Sequence, residues 1–414
     1  MASSTSAKPE PAAPLDVLVV GAGPAGSAAA ARLARAGCRV AAVDRASFPR
    51  DKACSEYMSP ETVRLLAELG VVPALEAAGA APLHGTAVTA AGGSRLHGRF
   101  ALAGPPPFRP TGLSISRRIL DHELVAAARR AGAEVLERTA VEELLYDGGA
   151  VAGAVVRDPA GRRLVLRAQL TIGADGLRSI VARRIGPRRH GRPRRIAFVA
   201  HVDGVSGLGD SAEMHVGRRG YVGLNPIGAG RTNVALVVPA DRGAEARGRA
   251  EAFLVETLRE FPGLHERVSR GSLARRVLAT GPFAAWSGRV VTDGAALVGD
   301  AADFFDPFTG EGIYSALRGA ALLADAAAEA LALGGPVTAN RLAGYRRARR
   351  RAFAGKWAVE RLIGYGMLFP ALFDRAVERL GRRAGMADTL IGVTADFVPA
   401  RRVLNPLFLA RMIL

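Results

Sequence analysis

Three glycines in the G-x-G-x-x-G spacing follow a short apolar run, Val17 to Val20, near the start of the chain. The apolar run is typical of a buried strand, and the Ala-rich segment after the glycines is typical of a helix. In this spacing the glycines permit a tight turn, a close backbone approach to a pyrophosphate, and close packing of the helix on the strand. The helix N-terminus then favours the anion. The predicted dinucleotide-binding residues are Gly21, Gly23, Pro24, Ala25 and Gly26.

A second apolar run, Val40 to Val43, is followed by Asp44 and Arg45. Because neighbouring parallel strands end at the same edge of a sheet, we expect Asp44 to face the ribose hydroxyls of an adenosine, with Arg45 beside it. The chain has 49 glycines, so three glycines alone would be a weak signal. The preceding strand, the following helix and the downstream aspartate make the motif specific.

Further along the chain, three segments carry residues that suit a bound nucleotide: Arg117 in a helical pattern, Asp175-Gly176, and Gly299-Asp300. In this order the motifs resemble the flavoprotein superfamily of aromatic hydroxylases and geranylgeranyl reductases. The resemblance implies FAD as the cofactor. It places Arg117 at the pyrophosphate, Asp175 in the family's Asp-Gly motif, and Asp300 at the ribitol hydroxyls.

The loop after Asp300 reads Pro-Phe-Thr-Gly-Glu-Gly-Ile and leads into a helix. In the family this loop brings backbone N–H groups to the pyrimidine edge of the flavin, and the helix N-terminus stabilises the anionic reduced flavin. The form resembles geranylgeranyl reductases more than aromatic hydroxylases, which tend to have asparagine in place of Tyr314. The residues implied here are Pro307, Gly310, Glu311, Gly312 and Ile313.

The loop from Pro49 to Pro60 is similar to the reductases' Pro-Arg-x-Lys-x-Cys-Gly-Gly loop beside the isoalloxazine. Lys52 and Cys54 match that pattern, whereas Ser55 and Glu56 replace the two glycines. We therefore expect a narrower and more polar approach to the flavin. Cys54 is a catalytic candidate as a proton donor, and an inert buried thiol is the alternative.

The pattern from Tyr221 to Pro226 resembles the reductases' Tyr-x-Trp-x-Phe-Pro strand, which lines a lipid-binding cavity. Gly223 and Asn225 replace its two aromatic residues. Tyr221 and Asn225 are catalytic candidates, and an ordinary core strand is the alternative for Asn225. Related halogenases have a Trp-x-Trp-x-Ile-Pro version, and the missing tryptophans disfavour halogenation.

The composition argues against a nucleic-acid-binding protein, a disulfide framework and a metal site. The net charge is +18, and nearly all of the positive charge is arginine. No helix-turn-helix, zinc-finger or RNA-binding signature accompanies it, so we expect a solvated basic surface and no nucleic-acid partner. Two cysteines and seven scattered histidines predict neither a disulfide framework nor a metal site.

Residues 1–14 are small, polar and Pro-rich, which predicts a disordered lead rather than a signal peptide. No uncharged apolar run reaches about 18 residues, so we predict no membrane span and expect a cytoplasmic protein.

The glycine-rich α/β segments are separated along the chain by β-rich stretches, which predicts a discontinuous nucleotide domain. The resemblance implies an α/β fold: a glutathione-reductase-like FAD-binding Rossmann domain, an inserted β-sheet substrate domain and a helical C-terminal region. The predicted boundaries are 15–80, 111–190 and 280–335 for the FAD-binding domain, 81–110 and 191–279 for the substrate domain, and 336–414 for the C-terminal region.

The C-terminal region mixes arginine clusters with apolar runs. Leu362 to Phe373 and Val403 to Leu414 each fit an amphipathic or apolar helix, which Pro370 and Pro406 would interrupt or bend. Two interpretations stay open. The region is a cap over the substrate cavity, or it makes peripheral membrane contact that delivers a lipophilic substrate.

We therefore predict a FAD-dependent oxidoreductase acting on a hydrophobic small molecule such as a polyketide or terpenoid. The first interpretation is NAD(P)H-driven monooxygenation, meaning hydroxylation or epoxidation. No second G-x-G-x-x-G follows a strand, so we expect no separate NAD(P)H domain. The resemblance implies that a nicotinamide binds transiently or that electrons come from a partner. The second is reduction of isoprenoid C=C bonds, which the loops at Cys54 and Gly310 favour and the residues Gly223 and Asn225 weaken. The third is a flavin-binding interaction protein without turnover.

Overall fold

The computed structural model describes residues 14–269 and 271–413. The predicted disordered lead lies outside these ranges, except for Pro14. The described helices are α1 (Pro24–Arg35), α2 (Pro60–Glu68), α3 (Val72–Ala77), α4 (Arg117–Arg130), α5 (Ile180–Ile185), α6 (Ala250–Leu258), α7 (Leu264–Ser269), α8 (Gly312–Ala332), α9 (Ala343–Gly366), α10 (Pro370–Gly381), α11 (Ala384–Thr394) and α12 (Pro406–Ile413).

The described strands are β1 (Leu15–Val20), β2 (Val40–Val43), β3 (Tyr57–Met58), β4 (Ala81–Leu83), β5 (Gly85–Thr89), β6 (Arg95–Arg99), β7 (Gly112–Ser114), β8 (Glu134–Leu136), β9 (Ala140–Asp147), β10 (Ala150–Arg157), β11 (Arg163–Gly173), β12 (Arg188–His190), β13 (Arg195–Asp203), β14 (Ala212–Gly217), β15 (Gly220–Pro226), β16 (Arg231–Pro239), β17 (Ser272–Leu273), β18 (Leu278–Thr280), β19 (Ala285–Ser287), β20 (Val291–Thr292), β21 (Ala295–Leu297) and β22 (Asp303–Phe304).

The first sheet has the order β20-β21-β11-β1-β2-β8, and its strands from β21 to β8 are parallel. Val17 and Val19 of β1 lie in a core shared with α1, α4 and α8, while Leu18 and Val20 lie in a second core shared with α5. Side chains alternate along a strand, so both faces of β1 are covered. This is the reason that β1 is a continuous apolar run.

The second sheet has the order β17-β13-β16-β15-β14-β5-β6, with β18 also paired to β13. Neighbours are antiparallel except β14 and β5. Ala197 and Val199 of β13 lie in a core with α10 and α11, and Phe198 and Ala200 lie in a core with α6 and α7. The described residues also form two separate three-stranded sheets, with the orders β3-β7-β4 and β12-β19-β22.

The predicted helix at 362–373 is interrupted, since α9 ends at Gly366 and α10 begins at Pro370, and α12 begins at Pro406. Proline is tolerated in the first turn, where its missing N–H has no intrahelical partner. No helix in the described ranges is long and apolar enough to cross a membrane. The fold is mixed α/β, as predicted, whereas the assignment of an inserted domain and its boundaries stays a prediction.

Candidate functional site

A cavity of about 550 Å³ lies between the carboxyl ends of β1, β2 and β11 and the second sheet. Most of the predicted cofactor residues line it: Gly21, Gly23, Pro24, Ala25, Asp44, Arg45, Lys52, Arg117, Asp175, Gly176, Gly299, Asp300, Pro307, Gly310, Gly312 and Ile313. The catalytic candidates Cys54, Tyr221 and Asn225 line it as well. Gly26 and Glu311 are buried outside the lining.

The turn between β1 and α1 depends on glycine at two positions. Gly21 has a φ of +96°, and a Cβ there would lie 2.7 Å from the carbonyl oxygen of Ala174. A Cβ at Gly26 would lie 1.7 Å from the carbonyl oxygen of Gly21. Neither position has space for a side chain. The sequence motif therefore corresponds to a backbone-to-backbone packing requirement.

The N-terminus of α1 is open to an anion. Gly23 is its N-cap, and no side chain of the described ranges caps this end. The guanidinium Nη2 atoms of Arg50 and Arg117 lie 3.6 Å and 3.9 Å from the position that a Gly23 Cβ would occupy. Free N–H groups, the helix dipole and two cations therefore converge at one point of the cavity wall. This donor set fits the diphosphate of a dinucleotide.

Arg117 is held in place by a buried carboxylate. Its Nε and Nη2 donate to Asp121 at 2.6 Å and 2.8 Å, and Arg50 lies 3.2 Å from the same carboxylate. Burial by itself lowers the pKa of Arg117, but the Asp121 charge outweighs it and keeps that pKa above its ordinary value. The cation is thus permanently charged and fixed beside Gly23.

The acidic site residues have different environments. Asp44 accepts the N–H groups of Ala22 and Ala46, both at 2.9 Å, which fixes its carboxylate at the end of β2. Burial raises the pKa of Asp300, an effect that the nearby Lys52 charge opposes. Desolvation, followed by the Arg117 charge, lowers the pKa of Lys52, although its side chain is accessible from the cavity.

One carboxylate oxygen of Asp175 binds the start of α5, and the other has a different environment. Its Oδ2 accepts the Ile180 N–H at 2.6 Å, so it supports the start of α5. Its Oδ1 is buried without a hydrogen-bond partner among the described residues. Burial raises the pKa of this carboxyl. A buried oxygen without a partner is a place where a bound molecule can donate a hydrogen bond.

The second helix end at the cavity belongs to α8. Gly310 has a φ of +74°, and a Cβ there would lie 2.9 Å from the ring of Tyr57. Glu311, the residue before α8, turns away and accepts hydrogen bonds from the Ser59 and Thr62 hydroxyls, both at 3.3 Å.

Burial raises the pKa of Glu311 well above its ordinary value, although the Lys356 charge opposes this. The neutral form that burial favours leaves the α8 N-terminus without a competing negative charge. This geometry fits an electron-rich ligand edge at Gly312 and Ile313.

A row of three buried polar residues on the second sheet faces the loop from Pro49 to Pro60, which we call the Cys54 loop. His201, Asn233 and Asn225 lie side by side on β13, β16 and β15, in register. Asn233 Nδ2 donates to the Cys54 carbonyl at 2.8 Å, and Asn225 Nδ2 donates to the Ser55 carbonyl at 2.9 Å. We call these three residues the polar row. It docks the Cys54 loop on the sheet.

Glu56 receives the rest of the polar row's hydrogen bonds. It is 1% exposed and has a φ of +60°, a conformation that a non-glycine residue adopts only where its surroundings stabilise it. Its Oε2 accepts from His201 at 2.7 Å and from Asn233 at 2.8 Å. Its Oε1 accepts the Arg117 N–H at 2.8 Å. Three donors make the burial of this carboxylate tolerable.

The loop before α8 has its own anchor on the second sheet. Asp306 accepts hydrogen bonds from Arg195 at 2.5 Å and from the Tyr221 hydroxyl at 2.6 Å. We call Arg195, Tyr221 and Asp306 the ionic anchor. Burial, and then the Asp306 charge, raises the pKa of Tyr221 well above its ordinary value. The Tyr221 hydroxyl is therefore a structural donor to Asp306, although its ring lines the cavity.

Between the polar row and the ionic anchor runs a line of small or apolar residues, Val199, Ala235, Gly223 and Met214, which are neighbours across β13, β16, β15 and β14. All four line the cavity. A Cβ at Gly223 would lie 3.2 Å from the Met214 sulfur. We call these four residues the cavity floor. It leaves an apolar slot between the two docked loops.

Several site residues were not identified from the sequence: Arg50, Glu56 as a hydrogen-bond acceptor, Arg195, His201, Asn233 and Asp306. One signal could have found some of them. His201 and Asn233 interrupt otherwise apolar alternation in strands, and a buried polar residue there requires a partner. Nothing local in the sequence indicates which partner that is.

Comparison with known proteins gives one family. The FAD binding domain family matches residues 14–360. Menaquinone reductase of Mycolicibacterium smegmatis is 34% identical over 75% of this chain and 75% of its own length. Digeranylgeranylglycerophospholipid reductase of Methanosarcina acetivorans is 29% identical over 77% of this chain and 76% of its own length.

Among solved structures, a geranylgeranyl bacteriochlorophyll reductase-like protein of Thermoplasma acidophilum superposes with a TM-score of 0.77 at 23% identity. The match covers 96% of this chain and 98% of that one. Flavin-dependent halogenases share the fold as well. These structural likenesses concern the fold alone.

Proposed function

The chain belongs to the FAD binding domain family and is a FAD-dependent oxidoreductase, and from this premise we propose that it reduces a C=C bond in a hydrophobic, isoprenoid-bearing molecule. The observation that carries the proposal is the cavity floor, an apolar slot that opens between the Cys54 loop and the loop before α8. Two relatives support it, because their names denote reductases of isoprenoid lipids.

The cofactor residues follow from the geometry of the cavity wall at the carboxyl ends of β1, β2 and β11. Arg50, Arg117 and the α1 N-terminus would hold the diphosphate, and Asp44 would take the adenosine ribose. Asp300 and the buried Asp175 oxygen would accept hydrogen bonds from the remaining hydroxyls. When bound, FAD supplies the hydride for the reduction. We propose NAD(P)H as the electron donor.

The proton for the second carbon would come from Cys54. Cys54 lines the cavity, and its sulfur accepts the Glu56 N–H at 3.3 Å, which fixes the thiol there. Solvent would restore the thiol after the proton leaves. Replacing Cys54 by Ala should lower kcat about 100-fold, as expected for loss of a general acid. A Cys54→Ala enzyme with unchanged kcat would exclude this role.

Monooxygenation, the first interpretation of the sequence, is the second candidate. The observation in its favour is Gly223 and Asn225 in place of aromatic side chains, together with the Asn225 Oδ1, which is buried without a partner among the described residues. That oxygen could accept a hydrogen bond from a hydroxylated substrate.

Mass spectrometry of the products formed under nitrogen and under air separates the candidates. The reductase proposal requires a product that has gained two hydrogen atoms under both atmospheres. A product that has gained one oxygen atom, formed only in air, would select monooxygenation. If the protein binds flavin but forms neither product from isoprenoid or aromatic substrates, the result would favour the third interpretation, an interaction protein without turnover.

A further inference from the structure

The corner between α9 and α10 exposes an unusual number of large apolar side chains. Their exposed fractions are 37% for Leu362, 45% for Tyr365, 53% for Leu368, 62% for Phe369 and 42% for Leu372. They lie at the end of α9, in the turn that follows it, and at the start of α10. We call these five residues the apolar corner. An exposed cluster of this kind is typical of an interaction surface.

Positive charges outnumber negative ones beside the apolar corner. Arg361 and Arg375 are exposed at its two ends. Asp374 is the only acidic residue from 361 to 375. Its carboxylate is occupied by the Gly92 N–H at 3.0 Å and the Ser94 hydroxyl at 3.1 Å. The corner therefore presents apolar groups between two cations, on a chain with a net charge of +18.

We propose that the apolar corner docks on an anionic lipid bilayer and that the substrate enters the cavity from there, an inference that rests on the proposed function for its second half. An apolar surface flanked by arginines matches the interface of such a bilayer, where each cation gains about 1 kcal/mol from anionic headgroups. The apolar side chains gain more by entering the acyl boundary.

The apolar corner is joined directly to the cavity wall. The Phe305 ring lies 6.0 Å from the Tyr365 ring, and Arg361 lies 5.7 Å from the Phe305 ring centroid. Arg195 of the ionic anchor donates to the Gly364 carbonyl at 3.2 Å. On either side of Phe305 in this loop, Phe304 and Phe308 line the cavity. A lipid-facing surface and the substrate slot thus share one loop.

The experiment is co-sedimentation of the full-length FAD-loaded protein with vesicles of phosphatidylcholine alone or mixed with phosphatidylglycerol. We expect binding to the mixed vesicles only. The double variant Leu368→Gln and Phe369→Gln should lower the affinity at least tenfold. The matched control, Val165→Gln with Leu333→Gln, removes side chains that are 59% and 71% exposed elsewhere, leaves the charge unchanged, and should bind as the parent does.

Equal binding by the corner variant and the parent would overturn the proposal, because it would assign the binding to net charge alone. Loss of binding in both double variants would overturn it too. A parent dimer in light scattering that the corner variant dissociates would overturn it in favour of a second copy as the occupant. FAD content and thermal unfolding should be unchanged in the corner variant.

Activity on a detergent-dispersed substrate separates this proposal from the reductase proposal. The corner variant should keep the parent's activity in detergent and lose it on substrate held in vesicles. If the parent binds vesicles but reduces no isoprenoid in detergent, the reductase proposal fails and the docking surface stands.

Discussion

The two walls of the cavity differ in how they use the backbone. The wall from the first sheet presents backbone groups at the turn at Gly21, the α1 N-terminus and the α8 N-terminus, together with charged side chains such as Arg117 and Asp44. The wall from the second sheet presents side chains, in the polar row, the cavity floor and the ionic anchor. At Gly21 and Gly26 the first wall has no space for an added atom, whereas the side-chain sites of the second wall can change one group at a time. The first wall suits a constant cofactor and the second a variable substrate.

Replacing Gly26 by Ala should have the largest effect, because its Cβ would lie 1.7 Å from a backbone oxygen. We expect loss of bound FAD and a decrease of about 5 kcal/mol or more in the free energy of unfolding. Absorbance of the purified protein and denaturant unfolding measure both. Gly209→Ala, with no atom within 4 Å of its Cβ, is the control. A yellow, stable Gly26→Ala protein would show that the first wall is not rigid.

Removing Arg195 from the ionic anchor should cost less, about 3–5 kcal/mol, because Asp306 would be left buried without its cation. Arg195→Gln should also raise KM more than it weakens FAD binding. The double variant with Asp306→Asn should recover much of the stability, since no unpaired charge remains. Denaturant unfolding of the two single variants and the double variant gives the coupling energy. Strictly additive effects would contradict the ionic anchor.

Glu56→Gly sets two effects against each other. Glycine relieves the φ of +60°, which is worth about 1 kcal/mol. It also leaves three donors without their acceptor, and each unsatisfied group costs about 1–3 kcal/mol. We expect a net loss of about 2 kcal/mol or more, with a lower kcat and unchanged FAD content. Thermal unfolding and steady-state kinetics measure these. A glycine variant more stable than the parent and equally active would show that the polar row positions nothing.

Gly223→Ala should have the smallest effect, because the crowding partner is the flexible Met214 side chain 3.2 Å away. We expect unchanged FAD binding and stability within about 1 kcal/mol. KM for a bulky isoprenoid should change about threefold, read from steady-state kinetics at several chain lengths. A loss of FAD from this variant would mean that the two walls are not independent.

The difference between the two walls also determines which site residues could be predicted from the sequence. Val17 to Val20 and the glycines after them were recognisable because a strand, a turn and a helix N-terminus are adjacent in the chain. Asp44 was recognisable because it follows an apolar run, and Asp300 because Gly299-Asp300 resembles a motif of the family. His201 and Glu56 are 145 residues apart, and Arg195 and Asp306 are 111 apart, so no local pattern pairs them.

Asn225 shows the limit most clearly. The sequence marks it as a departure from the family's aromatic residue, which favoured a catalytic role. In the fold it is one of three polar residues in register, and its amide binds the Ser55 carbonyl. Only the register of β15 with β16 shows that its neighbour Asn233 does the same for Cys54. Its catalytic role stays a prediction.

The central claim, C=C reduction in the slot between the two walls, is tested most directly by an anaerobic single turnover. The FAD-loaded enzyme is reduced, mixed under nitrogen with an isoprenoid alkene, and followed by flavin absorbance and product mass. The account predicts that the alkene reoxidises the flavin and that the product gains two hydrogen atoms. A flavin that stays reduced until oxygen is admitted, followed by a product with one added oxygen atom, would contradict it.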